Sequence, residues 1–447
     1  MPKTPSKPSS RSVSSTESQL RREAIAIFRA ALAAADPYRA TLAHLKPLPK
    51  TTKNLYVIGA GKAASSMARA VEKFYGRQIH SGIIATKYGH AQPLRHIKCL
   101  EASHPVPDEA GVDAARQIAQ LCLNAGKDDV ILCLISGGAS ALLPFPSQPI
   151  TLEEKQLTTR LLLSCGATIH ELNCVRKHLS ALKGGQLAHL AYPARIETLI
   201  LSDVIGDPLD VIGSGPTVPD TTTFADAWEI LFKHQLTAKL PASVRHHLEQ
   251  GVNHVIPETP KPGDRIFAKV KNQLIGSNRL SLYAAQAKAK ELGYKPILLS
   301  TSLDGEASEA AKTFAAIARE IHASGHPAKA PVALLAGGET TVNLSSLNGL
   351  GGRNQEMALA AAIGIESLPR TLFLAAGTDG TDGPTDAAGA FATGTTITRA
   401  TKIDFDAHEF LARNDSYHFF KPLDDLLITG PTGTNVCDLV IAVLGVA

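Results

Sequence analysis

The chain has 447 residues, 44% of them hydrophobic and 19% charged, a globular composition that excludes global disorder. At about 100–200 residues per domain, the length suits two or three domains. The net charge is +4, and removing the three N-terminal charges of Lys3, Lys7 and Arg11 leaves +1, which excludes the basic field of a nucleic-acid binder.

Aromatic residues make up only 5%, so the core is expected to be aliphatic, with close helix–sheet packing. The six cysteines, Cys99, Cys122, Cys133, Cys165, Cys174 and Cys437, form no CxxC pair. Several sit in apolar runs and read as buried thiols of a reducing, cytoplasmic protein. No apolar run approaches the ~20 residues of a membrane span, and no signal-peptide core follows the start. Residues 1–16 are rich in Ser, Pro, Lys and Arg and read as a disordered tail.

A first helix is predicted over 17–34, where Leu20, Ala24, Phe28 and Leu32 share one face and Asp36-Pro37 follows as a stop. Strands are predicted over 54–59, 82–86, 97–102, 129–136 and 196–203, with helices over 62–75 and 108–124 between them. The run 129–136 is apolar throughout, as a central parallel strand covered on both faces would be. Thr151 and Glu154 have capping-box spacing for a helix reaching Ser164. The rhythm implies an α/β fold with a Rossmann-like, doubly wound, mostly parallel sheet in three layers. The proline-bearing stretch 234–263 reads as a domain boundary. Beyond it the alternation restarts with VKNQLIG, a helix after Asn278, PILLS, a helix over 304–323, VALLAGG, TLFLAAG and DLVIAVLG.

Glycine-rich turns with polar groups follow several of these strands. Gly59-Ala60-Gly61-Lys62-Ala63-Ala64 fits GxGxx(G/A), in which glycines let backbone N–H groups approach phosphate at a helix start. The acidic residue expected about 20 positions on, which would grip a nicotinamide cofactor's ribose, is missing. There is no P-loop. Ser136-Gly137-Gly138-Ala139-Ser140 can form an anion nest with hydroxyls beside it. Arg176-Lys177-His178 and Lys183 supply cations for carboxylate or phosphate, though a solvated helix face would look the same. Asp203 and Asp207 follow the strand 196–203 and can serve a metal–nucleotide complex or a hydroxyl proton; turn formation is the plain alternative. In the second half, Glu339, Arg353, Asp379 and Asp382 cluster in glycine-rich segments that suit a second wall of one cleft.

Taken in order, VIGAGKAA, ASHPVPDEAG, LISGGASALL, RKHLSALKGGQLA, LSDVIGDPLDVIGSGPT, GGETTV, GGRNQEMAL and GTDGTDGPTDAAGA resemble the glycerate 2-kinase family from roughly Glu17 to the C-terminus. The boundary in the proline-bearing stretch gives a first domain over 17–240 and a second over 241–447, with the extreme C-terminus able to pack back on the first; the resemblance makes the second a three-layer MOFRL α/β domain and puts the active site in an interdomain cleft. It implies ATP-dependent phosphorylation of D-glycerate at the 2-hydroxyl, with Mg2+ or another divalent cation. Lys62 and Arg353 match the two residues thought to be catalytic. Gly59, Gly61, Ser136, Gly137, Gly138, Ser140, Arg176, Lys183, Asp203, Asp207, Glu339, Asp379 and Asp382 are the candidates for holding substrate or nucleotide. The metal ligands are open, with Asp203 and Asp207 as candidates.

Lys62 as a point charge and Arg353 as a planar fork suit charge neutralisation on a transferring phosphoryl group. Two other readings stand beside this one. The GxGxxA turn suits an NADP-dependent hydroxypyruvate reductase, and GAGKAASS also resembles sugar-phosphate-binding domains, which would suit a non-catalytic sensor. The missing ribose acid weighs against the first and the acid-rich second half against the other. The expected partners are small molecules, with neither nucleic acid nor membrane; a homo-oligomer is compatible with the sequence, which leaves the oligomeric state open.

Overall fold

The computed structural model of the chain describes residues 15–344 and 349–446. The predicted disordered tail therefore lies almost wholly outside the described residues. The first helix starts at Ser15 and runs to Ala34. Among the described residues no helix is long and apolar enough to cross a membrane.

The chain divides into two units, one formed by Ala34–Asn278 with Gly433–Val436, the other by the described residues before Ala34, Arg279–Thr432 and those from Cys437 onward. The first unit is built on β1 (Leu55–Ala60), β2 (Ile79–Lys87), β3 (Lys98–Ala102), β4 (Val130–Ile135), β5 (Arg195–Leu201) and β6 (Val270–Gly276). Their order is β3-β2-β1-β4-β5-β6 and every neighbouring pair is parallel.

Side chains alternate across this sheet with period two. Tyr56, Ile58 and Ala60 of β1 and Ile131, Cys133 and Ile135 of β4 enter one core with Ala114, Ala115 and Ile118 of the helix Glu109–Asn124. Leu55, Val57, Val130, Leu132 and Leu134 enter another, with Met67, Ala68 and Val71 of the helix Ala64–Tyr75. Both faces are thus covered, which is why β4 reads as an unbroken apolar run. The strand order reverses between β1 and β4, so a crevice opens beyond their C-terminal ends.

The second unit holds β7 (Lys295–Leu303), β8 (Val332–Gly338), β9 (Thr371–Gly377), β10 (Gly389–Thr393), β11 (Leu426–Leu427) and β12 (Asp438–Leu444). Their order is β11-β10-β9-β12-β8-β7; β7 and β8 are parallel, and every other pair is antiparallel. Leu20, Ala24, Ile27 and Phe28 of the first helix cover one face against Leu335, Leu374 and Ile441. Phe314 and Ala318 of the helix Ala307–Ser324 and Met357 and Ala361 of the helix Arg353–Gly364 cover the other.

These units differ from the expected 17–240 and 241–447. The first helix packs on the second sheet, and β6 (the run VKNQLIG) pairs parallel to β5 in the first. Hydrophobic period identifies a helix or a strand but not the sheet it joins. The proline-bearing stretch 234–263 is not a linker. It includes the helix Ala242–Val252, whose Val244 and Leu248 share a core with Leu172, Val175, Phe224 and Leu231. Farther along, the Pro260 carbonyl accepts the Asp220 amide at 2.9 Å, and the Thr259 hydroxyl donates to the Asp220 carboxylate at 3.0 Å.

Candidate active site

In the first unit the turns after β1 and β4 are zipped together at the point where strand order reverses. The Ser136 amide donates to the Ala60 carbonyl at 3.0 Å, the Lys62 amide to the Gly137 carbonyl at 2.9 Å, and the Ala63 amide to Ser136 Oγ at 3.1 Å. This approach demands glycine. A Cβ on Gly59 would stand 2.3 Å from the Leu134 carbonyl oxygen, and one on Gly61, where φ is +138°, would stand 2.0 Å from Ser136 Oγ.

The amides of Gly61 and Ala64 are also engaged, by the Ala85 and Gly61 carbonyls, both at 3.1 Å. The expectation that the GAGK turn offers its backbone N–H groups to phosphate is therefore corrected. Its glycines serve strand-to-strand packing, and what it presents is the Lys62 side chain. The Ser136 turn is different. Among the described residues no group accepts from the Gly137 or Gly138 amide, and both residues are partly exposed.

Three side chains lie close to this pair of glycines. A Cβ on Gly137 would lie 2.1 Å from Asp203 Oδ2, which puts the Asp203 carboxylate directly over it. A Cβ on Gly138 would lie 2.9 Å from His104 Cδ2 and 3.4 Å from Lys62 Cε. Burial, then the neighbouring Lys62, push the His104 imidazole down to about 4, so it is neutral at physiological pH. Among the described residues no carboxylate lies within ion-pair distance of the Lys62 ammonium.

Asp207 sits farther along, in a turn that its amide closes on the Val204 carbonyl at 3.1 Å, with φ at +57°. Ser140, Arg176 and Lys183 line a cavity of about 390 Å³ that also includes His104 and Gly138. Lys177 and His178 do not join them. Lys177 is buried between Asp210 and Asp220, each at 3.3 Å, and His178 packs on Phe224, so both are structural.

In the second unit Arg353 opens its helix and faces β12. Its Nε donates to Asp438 Oδ2 at 2.5 Å, its Nη2 to Asp438 Oδ1 at 3.1 Å, and its Nη1 to Glu339 Oε1 at 2.8 Å. Burial works against the Arg353 charge, but the two carboxylates more than offset it and raise its affinity for the proton. Asp382 does not face outward as expected of a ligand contact. It is 2% exposed, and its carboxylate accepts from the Asn354 amide (3.1 Å) and Nδ2 (3.1 Å) and from the Gln355 amide (2.8 Å) and Nε2 (3.0 Å). It closes the helix N-terminus and thereby aims Arg353. Asp379 accepts the Thr381 amide at 3.0 Å and shapes its turn.

Comparison with known proteins bears on what these turns do. A family model described as "Domain of unknown function (DUF4147)" matches residues 23–249, and the MOFRL family model matches 332–438. A relative from Pyrococcus horikoshii named glycerate 2-kinase is 44% identical over 93% of this chain and 95% of its own. The chain belongs to the glycerate 2-kinase family. A solved glycerate kinase structure from Thermotoga maritima superimposes with a TM-score of 0.88 at 42% identity, covering 96% of this chain and all of that one. A relative from Agrobacterium vitis, 43% identical over 94% of this chain and 93% of its own, carries a provisional hydroxypyruvate reductase name.

Three residues of this glycerate 2-kinase fold escaped the sequence reading. Asp438 is an acid opening an otherwise apolar strand, a signal that a buried charge needs a partner. His104 was visible only inside HPVPD. Lys155 looks like an ordinary polar position of the helix Leu152–Ser164, and nothing in the pattern marks it as buried.

Proposed function

We infer that the protein transfers the γ-phosphoryl group of ATP to the 2-hydroxyl of D-glycerate, giving 2-phosphoglycerate and ADP. The observation that carries this reading is membership of the glycerate 2-kinase family along nearly the whole chain, at 44% identity to a named relative. Release of ADP with D-glycerate as acceptor tests it.

Phosphoryl transfer asks for positioning and for charge stabilisation on the moving group. Lys62 supplies a mobile point charge with no carboxylate partner in the described structure, beside two open amides at Gly137 and Gly138. Such donors stabilise developing negative charge on an oxygen. Arg353 supplies the second cation. A guanidinium has five N–H donors, and three of Arg353's are held by Asp438 and Glu339. Two remain for a phosphoryl oxygen, and the fork is fixed before substrate arrives. Asp203, over Gly137, is the proposed acceptor of the glycerate hydroxyl proton. Ser136 and Ser140 flank the same turn, while Arg176 and Lys183 supply anion-binding charge. Glu339 and Asp382 orient the Arg353 segment, while Asp379 shapes its own turn.

Among the described residues no group of three or more His, Cys, Asp or Glu side chains could cage a metal. That fits magnesium, which ordinarily binds through one or two carboxylates together with substrate phosphates and waters. Asp207, in the turn after Asp203, would contribute its carboxylate to it. When bound it would neutralise charge on the phosphate oxygens.

The reductase reading loses support from the backbone. A dinucleotide site uses the amides of its glycine turn on the pyrophosphate. Here the amides of residues 61–64 are all bonded within the protein, and β2 ends in Lys87, not in an acid.

A further inference from the structure

The cavity of about 390 Å³ in the first unit has a floor of three cations, Lys155, Arg176 and Lys183. Lys155 is 5% exposed and Lys183 3% exposed. Their ammonium groups reach only backbone: Lys155 Nζ donates to the Leu179 carbonyl at 3.1 Å, and Lys183 Nζ to the Ser140 carbonyl at 2.8 Å. Among the described residues no carboxylate pairs with any of the three.

The same fold shows what it does with a cation that has only a structural duty. Lys177, next in sequence to Arg176, is equally buried and lies between Asp210 and Asp220. Two buried lysines and the half-buried Arg176, with no counter-charge, oppose folding whenever they carry their protons together, because desolvation is not offset by pairing. Their proton affinities register that cost. Burial, then Arg176, push Lys155 down to about 7, and burial, then Lys155 and Arg176, push Lys183 well down. An arrangement that opposes stability so directly is expected where an anion must be received.

The walls point to which anion. Val106, Pro107, Pro144 and Leu163 give the cavity apolar sides, and Gly138 at its edge leads to the Lys62 side chain. A three-carbon acid with one negative charge needs neither three cations nor that space, whereas cavities from about 300 Å³ upward suit ligands of drug size. We propose that this cavity holds the nucleotide, with Lys155, Arg176 and Lys183 on its phosphate oxygens and the Val106–Pro107, Pro144 and Leu163 walls against its base. This assignment rests on the phosphotransferase reading and adds to it a place for the donor and a new phosphate ligand, Lys155.

The test uses the full chain and ADP binding by calorimetry without turnover, beside separate KM values for MgATP and D-glycerate. Arg176→Gln should weaken ADP binding and raise the KM for MgATP roughly 10- to 100-fold, the effect of one charged hydrogen bond, with the KM for D-glycerate within about twofold. Leu163→Asn, a polar but uncharged change at an exposed helix position, should weaken ADP but leave inorganic tripolyphosphate unchanged. Lys155→Met should melt at the same or a higher temperature than the parent without ligand, and gain less from saturating ADP; a merely structural lysine would give a lower melting temperature. A raised KM for D-glycerate alone in Arg176→Gln would overturn the proposal and mark the cavity as the acceptor's. Unchanged ADP binding in Arg176→Gln and Lys155→Met would overturn it while leaving the kinase reading intact. A parent protein that binds no ADP and phosphorylates no glycerate would overturn both.

Discussion

Arg353 and Asp438 meet at two points, Nε to Oδ2 at 2.5 Å and Nη2 to Oδ1 at 3.1 Å. The acid begins β12, an interior strand paired on both sides in the second sheet, so the guanidinium is tied to a strand held by two neighbours. A two-point pair fixes the plane of the fork as well as its position. Glu339 holds a third N–H. An arginine restrained in this way cannot swing far, and its catalytic value lies in being placed in advance.

Removing that fork should therefore act on the chemical step. An arginine finger contributes about 10³–10⁵ in rate in other phosphotransferases, so Arg353→Ala should lower kcat by at least roughly 10², with little change in substrate binding. Arg353→Lys should recover only part, since a point charge cannot replace two of the bonds at once. Lys62→Ala should behave similarly, and a double variant less than additive would mean that both serve one developing charge. Steady-state kinetics on variants that melt like the parent decide this. Near-normal kcat in both single variants would return the two residues to structural roles.

The two carboxylates after β5 should separate. Asp203 stands over Gly137, whereas Asp207 lies in a turn beyond it. Asp203→Asn should lower kcat more than Asp207→Asn, and Asp207→Asn should chiefly raise the magnesium concentration needed for half-maximal rate. Titrating magnesium against rate for both variants reads this difference. Equal, small effects would make both acids turn residues.

Gly61→Ala should destabilise the first unit, because the new methyl collides with Ser136 Oγ and φ of +138° is strained for any L side chain. A loss of about 1–3 kcal/mol is expected, read from the midpoint of denaturant unfolding at constant slope. Gly76, also at positive φ (+52°) but with open space around it, should lose less on the same change.

The cation cluster makes a pH prediction. Lys155 is held down to about 7 in the folded protein against 10.5 ordinarily, so between those values the unfolded chain binds more protons. Stability from this group therefore rises with pH through that window, and below about 7 the cost of the buried charge is fully present. Lys183 acts in the same direction. Melting temperatures at pH 7 and pH 9 should rise more in the parent than in Lys155→Met. An identical rise in both would place Lys155 in a solvated setting.

Much of this architecture is readable from the chain because its strands are short apolar runs and its caps are explicit. Thr151 and Glu154 form the capping box their spacing foretold. The positions of Lys62, Ser136 and Asp203 beyond strand ends follow from the βα alternation alone. What could not be read is pairing between distant segments. The first helix and β6 carry periods that fit either sheet. Asp382 looked like a ligand contact because an acid in a glycine-rich turn has the same signature whether it faces solvent or caps a helix. Lys155, among Glu153, Glu154 and Gln156, has the local pattern of a solvated position, and only the tertiary fold buries it.

Incubation of the full chain with D-glycerate and MgATP, followed by phosphorus NMR and a coupled assay of ADP, reads the reaction itself. 2-Phosphoglycerate should accumulate in step with ADP, and omission of glycerate should suppress both. Reduction of hydroxypyruvate by NADPH at a comparable rate, with no ADP formed from ATP and glycerate, would contradict the assignment.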